Sequence, residues 1–442
     1  MASITLFGGA GEIGGNKVLI EDRKTKIFLD FGQAFGLLDD YFVDWLKPRG
    51  RFGLRDYFAL GLMPKMPGLY NKEALKHTEL RHSEPEYDAV FISHAHQDHI
   101  AHLPFLEQEI PVYMGETCKK ILDSTQETTG ACFYSEHSWK KKDGTEVAPN
   151  KIRTFRSGER ITVGDLEVTP IHVDHSVPGA YGFLVETSGG AIAYTGDLRK
   201  HGSKPEMTMD FINSAGEAEP AALIIEGTRV AEQESRKSHT EQFVFSESRK
   251  VVEKAKGLVL AMRYPKDLDR FRTFYTIAKE CGKELVISLK TAHLLLSLKG
   301  DRIGLPDPLS DEHIRIYGRK MLVYRQWETP LLERCVDSAW VKKNQKELIW
   351  ELDFPQMQEL IDVEPTAGSA CIHSISEPFE EDPSSQLQDE VLQNWLDRFG
   401  MERHQLHASG HASMDEIFGF IEEVGAKLIP LESTTTTLYN VT

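Results

Sequence analysis

The sequence predicts an α/β protein built in two parts, and three observations predict it. Short β-rich runs separated by glycines and charged turns recur through the first 195 residues. From about 206 to 404 the pattern changes to helices alternating with short apolar strands, the signature of an α/β unit. After 404 the chain returns to a strand, a helix and a strand.

The elements follow in chain order. Runs at 4–7, 17–21 and 26–30 read as consecutive antiparallel strands. Between the first two lies Gly9-Ala10-Gly11-Glu12-Ile13-Gly14, formally a dinucleotide fingerprint with Asp30 about twenty residues on. That fingerprint requires a helix directly after the glycines, and a strand-like Lys17-Val18-Leu19-Ile20 follows instead. The glycines therefore read as a tight hairpin whose backbone can approach a site. Residues 33–85, rich in Gly, Pro and aromatics, read as an irregular excursion, and a buried strand resumes at 89–92 before a helix at 100–109. Strands are expected at 152–155, 166–171, 180–187 and 191–195. The second part offers helices at 238–255 and 267–281 with strands at 258–261 and 285–287; the end offers 404–407, a helix over 414–424 and a strand at 427–431.

With 442 residues, 40% apolar and 27% charged, the chain has room for a sizeable core, and no apolar run approaches the ~18 residues of a membrane span. The first residues lack the basic start and apolar stretch of a secretory signal, so a cytoplasmic protein is expected. Five widely spaced cysteines without a C-x-x-C argue against a disulfide framework and a cysteine zinc site.

The formal net charge of −17 disfavours nucleic acid as a partner when taken alone, but its distribution is uneven. Residues 347–402 hold fourteen acids and one base, Arg398. Just before them, 315–346 holds eight bases, Arg319, Lys320 and Arg325 among them, against three acids, interleaved with Tyr317, Tyr324, Trp327 and Trp340. Cations beside stacking faces suit a single-stranded nucleic-acid track; a solvated face over core aromatics is the alternative.

The strongest signal is His94-Ala95-His96-Gln97-Asp98-His99 at the end of a buried strand. Three imidazoles and a carboxylate so close together cost desolvation unless a cation supplies the counter-charge. In extended chain His94, His96 and Asp98 share one side while His99 turns elsewhere, so one segment could feed two metals. His172 and His175, around Asp174, and Asp197 after Thr195-Gly196 follow later strands and have the character to complete the shells.

These residues resemble the metallo-β-lactamase superfamily and, within it, the β-CASP nucleases, most closely the ribonuclease J-like group. The carriers are H-A-H-Q-D-H at 94–99, G-G-A-G-E-I-G-G-N at 8–16, D-H-S at 174–176, T-G-D at 195–197, I-E-G-T at 225–228 and H-A-S-G-H-A-S at 407–413. The resemblance implies an αββα sandwich over 1–205 and 405–442, interrupted by a β-CASP domain over 206–404. It implies two divalent ions, zinc or alternatively manganese, with His94, His96 and His175 on one, Asp98 and His99 on the other, and Asp197 bridging. Two such ions ~3.5–4 Å apart can hold a hydroxide nucleophile and stabilise both oxygens of an in-line phosphodiester displacement. The resemblance selects His175 over His172.

It further implies that Glu226 and His411 lie near the leaving oxygen, a carboxylate–imidazole pair suited to general acid catalysis with Asp98 and Asp197. His407 and Ser409 match phosphate-holding positions. Ser413 and Glu416 form an S-x-x-E capping box, so this segment sits at a helix N-terminus that favours an anion. One departure stands out: where the family's RNA-cleaving members carry a histidine after the last strand, this chain has Glu432, expected to serve as an oxygen ligand. The chain ends ten residues later, so no additional C-terminal domain is expected, and a homodimer is left open. The expected function is a metal-dependent ribonuclease, endonucleolytic, 5′-to-3′ exonucleolytic or both, acting on single-stranded RNA. A catalytically impaired RNA-binding subunit, a DNA-cleaving enzyme and a small-molecule metallohydrolase are the alternatives.

Overall fold

A computed structural model describes residues 2–43, 45–140, 146–230, 239–301, 303–321, 323–378 and 383–432. The first sheet runs β1 (Ser3–Leu6), β2 (Val18–Asp22), β3 (Thr25–Leu29), β4 (Ala89–Ile92), β5 (Val112–Gly115), β8 (Ile152–Phe155), with a small hairpin of β6 (Trp139–Lys140) and β7 (Glu146–Val147) between the last two in sequence. Its first three strands pair antiparallel and the rest parallel. The second sheet holds β9 (Ile161–Val163), β10 (Leu166–His172), β11 (Tyr181–Thr187), β12 (Gly190–Tyr194) and β13 (Ala222–Glu226), with β21 (Leu431–Glu432) added parallel to β13.

Period-two alternation decides how the two sheets meet. Leu166 and Val168 on β10, Phe183 and Val185 on β11, and Ile192 and Tyr194 on β12 face Ile20, Ile27, Leu29 and Phe91 of the first sheet in one shared core. Fully burying a side chain such as Phe183 stabilises by roughly 1.5–3 kcal/mol. Strand β13 is apolar throughout because both its faces are covered: Ala222 and Ile224 point into that core, while Leu223 and Ile225 meet the helices Pro205–Glu217 and Met414–Val424. The outer face of the first sheet is covered by the helix Glu116–Thr129 and by the irregular segment around Leu54–Leu75. The result is an αββα sandwich.

The third sheet is wholly parallel: β14 (Val259–Arg263), β15 (Glu284–Ser288), β16 (Ile314–Tyr317), β17 (Cys335–Val336), β18 (Leu348–Glu351), β19 (Ala370–Ser374) and β20 (Glu402–Gln405), in the spatial order β17-β16-β15-β18-β14-β19-β20. Helices Leu268–Glu280 and Leu289–Ser297 cover one face, and Val341, Leu360, Leu392 and Leu396 pack on the other. Open parallel sheets present ligand sites at the carboxyl ends of their strands, and here those ends face the sandwich. Lys266, just beyond β14, donates to the Ala95 carbonyl at 2.6 Å, and Arg325 donates to the Thr128 carbonyl at 3.1 Å.

Four expectations are corrected. The helix expected over 100–109 is a single turn, Gln97–Ile100, followed by a 3-10 turn at Leu103–Phe105, because Pro104 has no N–H for the Ile100 carbonyl. Residues 206–226, given to the insert by sequence, pack as helix and strand on the second sheet, since β13 pairs with β12. The strand expected at 427–431 is an isolated bridge at Leu428 and the two-residue β21. Tyr317 and Trp340, read as faces of a track, pack into the core under the third sheet. No helix among the described residues is long and apolar enough to cross a membrane.

Candidate metal centre

Strands β10, β12 and β13 run in the same direction and β4 lies across the core from them, so four chain segments deliver their ends to one edge of the sandwich. There His94 and His96 follow β4, His175 follows β10, Asp197 follows β12, and Glu226 closes β13. His94 Nε2 and His175 Nε2 each lie 3.1 Å from His96 Nδ1, and Asp197 Oδ2 stands 3.4 Å from His94 and 3.7 Å from His175. On the other side of Asp197, His99 Nε2 lies 3.3 Å from Oδ1 and 3.4 Å from Asp98 Oδ2.

Hydrogen bonds outside the cluster set which nitrogen each ring turns inward. His99 Nδ1 donates to Asp30 at 2.7 Å and His175 Nδ1 donates to the Gly410 carbonyl at 2.5 Å, so both keep an Nε2 lone pair for the cluster. The Ser93 hydroxyl proton goes to Asp30, so its oxygen accepts from His94 Nδ1 at 3.0 Å, with the same consequence for His94. The Nε2 lone pairs of His94 and His175 thus converge on His96 Nδ1, and Asp197 Oδ2 is buried without a hydrogen bond among the described residues. Such a set fits a cation: three imidazoles and a carboxylate oxygen are a zinc donor set. Asp98, His99 and Asp197 form a second group, and Asp197, Glu226 and His411 a third, each with its atoms within 4.8 Å.

The electrostatics agree. Burial and the neighbouring imidazoles of His94 and His175 push His96 well below the ordinary histidine range. Burial opposes ionisation of Asp197, but His99, His411 and His94 outweigh it and hold its carboxyl well below the carboxylate range. His411 is half-buried, and although desolvation opposes its charge, Glu226 and Asp197 raise it to about 9.

Glycines let the backbone close in on this turn. A Cβ on Gly32 would lie 1.5 Å from the Asp98 carbonyl oxygen, and one on Gly14, at φ +78°, would lie 2.9 Å from Asp98 Cβ. The glycine hairpin at 8–15 is therefore packing against the metal-ligand turn, with no helix following it.

Of the other residues singled out in the sequence, His411 Nδ1 lies 2.8 Å from Glu226 Oε2, whose second oxygen accepts from Leu198 N and Ala412 N. Ser409 Oγ accepts from His411 N, and Ser413 caps the helix Met414–Val424 in a reciprocal box with Glu416. His407 bonds the Ser374 carbonyl and lines a cavity of about 120 Å³ with Ser409, Ser376 and Gln405. Glu432 pairs by backbone with Glu226; its side chain lies outside the described part. His172 is not drawn in and stacks on Tyr181. Arg319 and Arg325 are not at the cluster either: they line a cavity of about 440 Å³ at the ends of β15 and β16, and Lys320 is exposed beside them.

Sequence reasoning missed Asp30, Ser93, Lys266 and Arg199. Asp30, with a left-handed φ of 60°, takes bonds from Ser93 N, Ser93 Oγ, His99 and Tyr194. Its only sequence signal was an unusual acid ending a buried strand.

With this geometry in view, the comparisons with known proteins are direct. Residues 66–259 match the family model of a beta-lactamase superfamily domain. Over these residues the chain is similar to the metallo-β-lactamase superfamily, and it is similar to proteins named ribonuclease J. A ribonuclease J from Helicobacter pylori is 23% identical over 270 residues, 60% of this chain and 33% of that protein. One from Mycoplasma genitalium is 23% identical over 422 residues, 94% of this chain and 64% of that protein. The chain thus spans between a third and two thirds of the length of these relatives. A crystal structure of a protein of unknown function from Enterococcus faecalis V583 superposes with a TM-score of 0.77 at 23% identity, over 99% of this chain and 96% of the other, which bears on the shared fold. The His/Asp cluster is capable of holding metal.

Proposed function

We propose that the chain is a metal-dependent ribonuclease that hydrolyses phosphodiesters of single-stranded RNA, as an endonuclease, a 5′-to-3′ exonuclease or both, with the cytoplasm as its compartment. The observation that carries the reading is the pairing of a convergent His/Asp ligand cluster with an adjoining acid pair, Glu226 and His411, sharing Asp197. Relatives named ribonuclease J support RNA as the substrate.

In this reading His94, His96 and His175 hold one divalent ion, Asp98 and His99 with Glu432 hold the second, and Asp197 serves both. Bound ions of this kind, zinc or manganese, supply positive charge to the phosphodiester oxygens and acidify water. Glu226, 2.8 Å from His411 Nδ1, favours the protonated imidazole and orients it toward a departing oxygen. Ser409, His407 and the N-terminus of the helix capped by Ser413 favour the anionic backbone on the same side. Arg319 and Arg325, with Lys320 beside them, form a more distant grip along the carboxyl edge of the third sheet. The body around 1–226 and 405–432 carries the ligands in this reading, and the unit between them acts as a β-CASP domain that closes over the strand.

The test is one assay of purified protein with zinc or manganese on 5′-labelled single-stranded RNA, 5′-labelled single-stranded DNA and a chromogenic lactam. Cleavage of RNA is expected, and the lengths of the labelled products resolve internal from terminal cutting. Turnover of the lactam alone would replace this reading with a small-molecule hydrolase.

A further inference from the structure

The irregular excursion after β3 leaves the protein's densest run of exposed apolar side chains beside the metal-ligand turn. Phe35, Leu37, Tyr41, Val43, Trp45 and Leu46 are all exposed, and Trp45 retains 88% of its accessible surface. Soluble proteins seldom expose neighbouring large apolar groups without a use for them. The next nine residues are strongly basic: Lys47, Arg49, Arg51 and Arg55 occur with no acid among 45–55, in a chain whose net charge is −17. Three of these guanidiniums gather over one ring, Phe52, at 4.6, 4.7 and 5.4 Å for Arg49, Arg51 and Arg55. Arg49 is neutralised by Asp56 at 2.6 Å; Arg55 is attracted to the same carboxylate at longer range, and Arg51 and Arg55 have no ion pair within 4.0 Å of a carboxylate among the described residues.

Both ends of this arm are tied to the metal-ligand turn. At one end Gln33 N donates to Gln97 O, Phe35 N donates to Ile13 O, and the Phe35 ring shares Gly14 with Asp98 as its neighbour. At the other, Tyr57 packs edge-on against His102 and Phe105, just past His99. The segment is therefore anchored at both ends beside the metal-ligand turn, on the sandwich itself and apart from the Arg319 cavity in the third-sheet unit.

We propose that this arm, Trp45 with Lys47, Arg51 and Arg55, is a second grip for single-stranded RNA, taking a nucleobase on Trp45 and backbone phosphates on Arg51 and Arg55. The inference rests on the ribonuclease reading and extends it to the nucleotides that flank the cleaved bond. A stacking face followed by cations that crowd one another is what such a strand recognises; a purely apolar partner would gain nothing from Arg51 and Arg55. Asp39 and Asp40 lie on the Phe35 side of the arm, so the phosphates belong on the 47–55 side.

The experiment is binding of the metal-loaded protein to a cleavage-resistant phosphorothioate RNA of about 20 nucleotides, followed by anisotropy and by intrinsic tryptophan fluorescence. RNA is expected to quench the wild type. Trp45→Ala should weaken binding by ~5–100-fold and remove the Trp45 part of the quench, while Trp45→Phe should keep most of the affinity and lose the same quench. Arg51→Ala with Arg55→Ala should lower the log–log salt slope by ~1.4, that is ~0.7 for each phosphate they neutralise. All these side chains are exposed, so metal content and circular dichroism should be unchanged. RNA binding and quenching identical to wild type in every variant would overturn the arm while leaving the ribonuclease reading intact. A wild type that binds no RNA would overturn both. If Trp45→Ala instead converts a dimer to a monomer in sedimentation with RNA affinity unchanged, the occupant is a second copy of the chain and the proposal fails.

Discussion

Two buried clusters of charge lie within a few residues of each other in this protein and differ in one respect. Around Arg199 each charge faces an opposite one. Arg199 donates to Glu241 and Asp269 at 2.9 Å and to the Ser409 carbonyl at 2.9 Å, while Arg270 grips both oxygens of Glu241 at 3.0 and 3.1 Å. Around Asp197, two residues earlier in sequence, imidazole faces imidazole and a carboxylate oxygen accepts no hydrogen bond. The first cluster is closed by opposite charges, with Arg199 Nε 3.8 Å from Asp174 though without a hydrogen bond among the described residues; it fastens the helices that follow 240 and 267 to the loop that carries His411. The second is open among the described residues and is capable of holding a cation. Both pay the desolvation of buried charge, so burial alone does not mark a functional site; incompleteness does.

The comparison breaks first at the open cluster. His96→Ala should lose bound metal, measured by elemental analysis against an expected content close to two divalent ions per chain. It should lose activity by more than ~10³-fold, because several kcal/mol of charge stabilisation go with the ions. Activity that survives chelation in the wild type would sink the hydrolytic mechanism.

A narrower cut separates the acid pair from the ligands. His411→Ala should retain metal and slow single-turnover RNA cleavage by ~10²–10⁴-fold, the usual scale for a lost general acid. If the rate is unchanged, another group protonates the leaving oxygen.

The closed cluster should respond in stability and not in metal affinity. Arg199→Met leaves Glu241 with Arg270 alone and Asp269 with Arg272 alone, and it strips Asp174 and the Ser409 carbonyl of their guanidinium, so urea unfolding should show a loss of about 3–5 kcal/mol. Chelator should then lower the midpoint of this variant and of the wild type by the same amount. A larger chelator effect in the variant would mean that the two clusters are not separate.

The smallest expected effect is at the distant cavity. Replacing Arg319, Lys320 and Arg325 together by Ala should flatten the salt dependence of RNA binding by up to ~0.7 in log–log slope for each phosphate that these cations neutralise in the wild type. An unaltered slope would return the segment to a solvated face.

How much of this was legible follows from where the information lies along the chain. The ligand motif could be read because four of its groups fall within six residues at the end of one strand, and the structure brings those residues together with His175 and Asp197. The two-part pattern was legible for a similar reason: alternation with period two and helical spacing are local properties, and the helix expected over 414–424 is observed as Met414–Val424. Boundaries failed where a distant partner decides them. Strand β13 looks like the start of the inserted pattern, yet it joins the second sheet because β12 offers it an edge. Tyr317 and Trp340 alternate with bases as a track would, and only packing under the third sheet shows that they are core.

The sequence by itself determined the chemistry available: imidazoles and carboxylates at strand ends, an S-x-x-E cap, a basic stretch beside an acidic one. The tertiary structure alone decided which nitrogen each imidazole turns inward, because that depends on Asp30, Ser93 and Gly410, drawn from segments as much as 235 residues apart from the rings they hold. It also decided that Arg199 is balanced and Asp197 is not. Hydrogen bonds between residues far apart in the chain leave no periodicity to read, so the completeness of a buried charge cluster is visible only once the chain has folded.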